Sequence, residues 1–159
     1  MKKLFIIFIT ISLSLLKFNL YAIEVPNNLI ITTINKGDST LGLSKQGDTL
    51  TVNYTGWIFS NDTDVKEYCN AKGKMFDSNI YEKFNHQNPF SFLIGKGNVI
   101  KGWDIGLINV AVKSKTCLII PPEYAYGNRR IGNVIEPNST LIFEVELLEI
   151  NKVNWELFD

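Results

Sequence analysis

The side chains that could do covalent chemistry are few and scattered. The chain has one histidine, His86, and two cysteines, Cys69 and Cys117. One imidazole and two distant thiols do not make a zinc site. A Ser–His–Asp hydrolase would need His86 placed by chance, and no G-x-S-x-G turn is present. Gly95-Lys96-Gly97 and Gly102 faintly suggest a phosphate loop. Trp103 and Asp104 follow, where Lys and then Ser or Thr would be required. Asn53, Asn61 and Asn138 begin N-x-[ST] triplets, a pattern short enough to recur by chance. No metal and no cofactor is implied.

What the chain has in quantity is rings: ten Phe, six Tyr and three Trp. They can build a core or line a pocket, and composition does not say which. Taken singly, Tyr54, Phe92 and Phe143 fall on apolar strand faces and read as core, as does Trp103. Asp77, before Ser78, reads as a turn residue.

The elements that would position these groups follow from periodicity. Leu50, Val52, Tyr54, Gly56 and Ile58 alternate with polar positions and predict a strand over 49–58. LIITTI at 29–34 is β-branched and strand-like. Residues 39–48 read as a loop and 60–74 as a long polar hairpin connection. Met75-Phe76-Asp77 resumes an extended segment, and 78–88 form a polar flap. Phe90, Phe92 and Ile94 share one face of the next strand. Apolar residues at 99, 100, 103, 107 and 110 predict a short helix around 101–109. Thr116, Leu118 and Ile120 share a face of a strand over 114–120, which turns Cys117 toward solvent or a covering loop. Pro121-Pro122 ends that strand. A long connection, 123–140, is too apolar for an idle linker. The last strand, 141–150, faces Leu141, Phe143, Val145 and Leu147 one way. The class is α+β: a twisted antiparallel sheet of five or six strands half wrapped about one short helix, which lies across the apolar face; the loop carrying Cys69 could fold over the other face and meet Cys117.

Residues 1–22 stand apart from this fold. Met1-Lys2-Lys3 is basic, residues 4–16 form an apolar run, and Ala22 is a small residue suited to cleavage. This is the order of a secretory signal peptide. Thirteen helical residues span about 20 Å, short of a ~30 Å hydrocarbon core, so an uncleaved membrane anchor is the lesser alternative. The rest, 23–159, reads as one domain with its core at 29–150. Losing Lys2, Lys3 and Lys17 leaves 13 basic against 16 acidic residues, a net of −3. That gives no electrostatic footprint for nucleic acid. In an oxidising compartment an even cysteine pair often forms a disulfide, Cys69–Cys117 here, with two free thiols as the alternative.

Five stretches carry a family resemblance: VNYTGW (52–57), KMFDSN (74–79), PFSFLIGKGNVIKGWDIGL (89–107), PPEYAYGN (121–128) and PNSTLIFEVELLEI (137–150). In this order and spread over 29–150, they resemble the FK506-binding (FKBP) family of peptidyl-prolyl cis–trans isomerases. The resemblance implies a pocket at the open end of the core. Its substrate-binding residues would be Tyr54, Phe76, Phe90, Val99, Ile100, Val134, Ile135 and Phe143. Asp77, Trp103 and Tyr126 would act on the bound peptide. It also implies proline-containing polypeptide clients and inhibition by FK506- or rapamycin-type macrolides. No long dimerisation helix is read after residue 22, so a monomer is expected. The segments 60–74 and 78–88 are longer than in minimal members. Asn98 replaces a frequent acid, Glu136 stands where a second Pro is common, and Ile131 where a His can occur. The rim therefore departs from the pattern more than the pocket.

Such a pocket suits a reaction without a nucleophile. Peptide rotation faces a barrier of about 18–20 kcal/mol because the C–N bond is partly double. The twisted amide has lost resonance and is less charge-separated than the planar one. A dry pocket disfavours the planar form, and donors that fit only the twisted carbonyl add to this. A binding module using the same pocket without turnover is the rival reading.

Overall fold

In the computed structural model, which describes residues 23–61 and 65–152, the chain forms eight strands and one α-helix among the described residues. These are β1 (Ile30–Asn35), β2 (Asp38–Leu43), β3 (Thr49–Phe59), β4 (Lys72–Ser78), β5 (Phe90–Leu93), α1 (Lys101–Gly106), β6 (Ala111–Val112), β7 (Lys115–Ile120) and β8 (Leu141–Asn151). The expected leader, residues 1–22, lies outside the described residues.

The main sheet is antiparallel and runs β1-β7-β8-β3-β4, with β5 also paired to β3. β8 lies along nearly the whole of β3, from Thr49↔Asn151 to Ile58↔Leu141. On its other edge β3 is shared. Thr49–Val52 pair with β5, and Thr55–Phe59 pair with β4. The flap between β4 and β5 therefore leaves the sheet at the level of Tyr54. The α+β architecture expected from the periodicities is the one observed. Some boundaries differ. Lys72–Lys74, expected as connection, belong to β4, and residues 39–43, expected as loop, continue from Asp38 as β2 and pair with the short β6 in a separate two-stranded ribbon. The helix ends at Gly106, because Leu107 has left helical geometry and Asn109 turns to φ 59°.

α1 lies on β7 at a distance only glycine permits. A Cβ at Gly102 would stand 2.5 Å from Ile120 Cγ2, and one at Gly106 2.6 Å from Leu118 Cδ2. The side facing the sheet is thus two bare backbone positions one turn apart. That lets Trp103 and Leu107 sink into a core with Leu50, Val52, Ile94, Leu118 and Val145. The turn before the helix is fixed by Asp104, whose carboxylate accepts from the Gly95 and Gly97 amides at 2.8 and 2.7 Å. Ser44, fully buried, holds the turn after it by donating to the Leu107 carbonyl and accepting from the Val110 amide.

Of the two settings expected for Cys117, solvent or a covering loop, the structure has the covering loop. Cys117 and Ile119, on the face opposite Leu118, are fully buried with Trp57, Ala71 and Ile142. The cover comes from residues 65–71, which bring Val65, Tyr68, Cys69 and Ala71 against this face. Cys69 bonds to Cys117 with Cα atoms 6.2 Å apart, closing a 48-residue separation.

Glu144 crosses the edge of this second core. Its carboxylate pairs with Lys72 and, at 2.6 Å, with Lys115, and the Lys72 ammonium also lies 4.5 Å from the Trp57 ring centroid. Burial alone would raise the Glu144 carboxyl, but the hydrogen bonds from Lys115 and Lys72 outweigh it and hold it below the usual carboxylate range. A group lowered by folding contributes stability above its unfolded value, about pH 4.3 for Glu, and loses it as pH falls through the folded value. Glu144→Gln should therefore cost about 1–3 kcal/mol at pH 7 and remove part of the stability loss seen on acidification below about pH 4. Urea unfolding at pH 7 and pH 3 measures both. An acid limb identical in the variant would mean that other carboxylates carry it.

Candidate active site

Where β3 faces the gap between β4 and β5, the sheet opens into a cavity of about 230 Å³. Its floor is Trp103 from α1, 4% exposed. Tyr54 and Phe143 meet the indole edge-to-face at 5.4 and 5.2 Å between centroids, and Phe76 meets Phe143 the same way at 5.4 Å. These are the offset geometries that ring quadrupoles favour. Phe90, 40% exposed, stacks on Phe92 and forms the outer wall. Gly56 makes room for this box, since a Cβ there would stand 2.7 Å from the Phe76 ring and 2.8 Å from that of Phe143. Val99, Ile100 and Tyr126 complete the lining.

Nine of the eleven pocket residues expected from the sequence therefore share one cavity, and two do not. Ile135 is 3% exposed and turned into the core, paired with Ile131 in a small antiparallel bridge. Val134 packs on the same core from outside. Neither lines the cavity. Asn98 lines it instead.

Among the described residues one charged group faces the cavity, Asp77 near the end of β4. Its Oδ2 accepts from the Tyr54 hydroxyl at 2.8 Å, and its Oδ1 accepts from the Ser78 amide at 2.9 Å. Burial, then the bond to Asp77, pushes the Tyr54 phenol far up. Burial, then the charge of Asp77, raises that of Tyr126. Both remain protonated at any working pH. Tyr54 is committed to Asp77, whereas the Tyr126 hydroxyl donates to none of the described residues and can serve a bound carbonyl.

The gap in the ladder is closed by a residue that periodicity did not single out. Asn79, 3% exposed, accepts the Tyr54 amide at 2.7 Å and donates to the carbonyls of Val52 and Asn88, both at 3.0 Å. Its amide replaces the missing strand and ties both feet of the flap. Its burial next to Asp77 is visible only in three dimensions. His86, dismissed from sequence as a flap residue, reaches back to place Nε2 2.8 Å from Asp77 Oδ1.

This arrangement defines a site that receives a small apolar ring on an indole floor beside a peptide carbonyl. The sequence profile described as FKBP-type peptidyl-prolyl cis-trans isomerase matches residues 42–148. FK506-binding protein 1 of Saccharomyces cerevisiae is 39% identical over 127 residues, 80% of this chain and 96% of its own length. FK506-binding protein 1 of Rhizopus delemar is 42% identical over 121 residues, 76% of this chain and 96% of its own. The crystal structure of FkpA from Escherichia coli superposes with a TM-score of 0.58 at 36% identity, covering 77% of this chain and 48% of that one. The chain belongs to the FKBP-type peptidyl-prolyl cis–trans isomerases, and it is an enzyme of that class.

Proposed function

We propose that this isomerase acts on proline-containing segments of exported polypeptides, binding the proline ring over Trp103 and lowering the barrier to rotation of the preceding bond. The observation that carries the reading is the cavity itself: an aromatic box with one carboxylate and one uncommitted phenol. The rings exclude water, which disfavours the charge-separated planar amide. Tyr126 offers a proton to the carbonyl as it turns. Asp77, held by Tyr54 and the Ser78 amide, fixes the carbonyl's orientation through its field. Each term counts only insofar as it is stronger for the twisted form.

Export is supported by the basic-apolar-small order of residues 1–22 and by the buried Cys69–Cys117 bond, which suits an oxidising compartment. Cleavage after Ala22 would release a monomer into the periplasm or medium. FK506- and rapamycin-type macrolides would occupy the same box. A client-holding role without turnover draws support from the apolar side chains left exposed near the mouth, Ile80 and Tyr81 on the flap and Phe90 beside it.

The test is the isomerisation rate of a short X–Pro peptide with and without FK506. Fast turnover blocked by the drug, and reduced at least tenfold in Asp77→Ala, is the expected result. No turnover by the folded protein would overturn the reading, and drug binding in that case would favour the client-holding one. N-terminal sequencing of protein secreted by a bacterial host should begin at Ile23.

A further inference from the structure

The cavity's one carboxylate has a partner outside the cavity. His86 lies on the flap, 48% exposed, with Nε2 2.8 Å from Oδ1 of Asp77, which is itself 37% exposed. Asn79 ties the flap's feet at Val52 and Asn88, and this contact, two residues before Asn88, joins the returning limb to the cavity wall. The other titratable groups nearby are few. Tyr54 on β3 reaches the opposite oxygen of Asp77, and Tyr126 feels the same carboxylate from across the cavity. On the flap itself are Glu82 and Lys83; the Lys83 ammonium lies over the Phe84 ring, which is the aromatic neighbour of His86. Neither makes an ion pair with the imidazole among the described residues.

We propose that His86 is a positioning residue for Asp77, and that its charge makes substrate capture pH-dependent. A neutral imidazole can donate one hydrogen bond to Oδ1. A protonated one donates a charge-assisted bond, which is roughly twice as strong. Protonation therefore holds the flap more firmly against the cavity mouth, while Asp77 keeps its bonds from Tyr54 and the Ser78 amide. That effect acts on binding, so it belongs to KM. Because the pair is half exposed, solvent screens it, and the effect should be about two- to fivefold.

Among the side chains the attribution is clean. Histidine is the side chain whose charge ordinarily changes between about pH 5 and 8. His86 is the only one in the sequence, and both cysteines are bonded to each other, so no thiol titrates.

The inference rests on turnover in this cavity, and its test keeps the two apart. KM and kcat for an X–Pro peptide would be measured by NMR exchange from pH 5.5 to 8, a method that needs no coupling protease. The Cε1–H resonance of the sole imidazole reports its charge in the same samples. The expected result is a KM two- to fivefold lower at pH 5.5 than at pH 8, a kcat that does not follow, and a midpoint coincident with that of the resonance. H86Q should hold KM near the wild-type pH 8 value throughout, and H86R near the pH 5.5 value. A flat wild-type KM, an H86Q that keeps the dependence, or midpoints that disagree would each overturn it. If turnover proved absent, the peptide Kd from the same spectra would replace KM, so failure of the isomerase reading would still leave this one decided.

Discussion

Trp103→Ala should lower the unfolding free energy by about 3–5 kcal/mol, while Trp103→Phe should cost less than about 1.5 kcal/mol. The alanine variant removes the ring on which Tyr54, Phe90, Phe92 and Phe143 all rest, at centroid distances of 5.2 to 6.4 Å. It opens a void between helix and sheet that glycines at 102 and 106 do nothing to fill. The phenylalanine variant loses volume too, but it also removes a liability. The Trp103 indole N–H is buried and finds no oxygen or nitrogen acceptor among the described residues. An unpaired buried donor costs about 1–3 kcal/mol, which offsets much of the lost packing. Urea unfolding measures the contrast. Equal losses in the two variants would mean that the N–H is satisfied, by a ring face or by water, and that volume alone decides. Turnover per folded molecule should fall in both, since the floor under the proline ring is changed in each.

Breaking the Cys69–Cys117 bond should cost about 4 kcal/mol by the chain-entropy relation for a loop of this length, a drop in Tm of roughly 12–20 °C. The bond closes a 48-residue separation and lies at a fully buried Cys117, so its loss also loosens the cover over Trp57, Ile119 and Ile142. The comparison is a thermal melt of the oxidised protein against Cys69→Ala/Cys117→Ala, with isomerase activity followed in parallel. Activity should survive at low temperature, because the aromatic cavity lies on the other face of the sheet. A change below about 1 kcal/mol would show that the connection is held by its own packing, through the Phe59–Tyr68 pair and the Ser60 amide bond to Ala71.

The sequence reading reached the inner half of the molecule in detail and the outer half only through Cys69 and Cys117, for a physical reason. Alternation in β3 and β8 reports which residues face the main core, and Tyr54 and Phe143 lie where that pattern places them. The same pattern assigns the reverse face to solvent unless something covers it. The cover is a polar, turn-rich segment whose path is set by one covalent bond, and nothing in its periodicity announces it. Val134 and Ile135 lie off the cavity lining, and apolar type and family position did not reveal the bridge that pairs Ile135 with Ile131. Asn79 and His86 were invisible because each acts through a partner brought close only by the pairing of β4 and β5 on one strand.

That shared pairing has an implication for how such a protein can diversify. The flap begins and ends at one edge of β3, and Asn79 seals its base with three hydrogen bonds. Nothing beyond that seal belongs to the ladder. The segment between is therefore a graftable cassette: each doubling of its length adds only about 0.6 kcal/mol of closure entropy. Reach and client preference can be rewritten there, by natural insertion or by an engineer, while the indole floor and the sheet beneath it stay as they are.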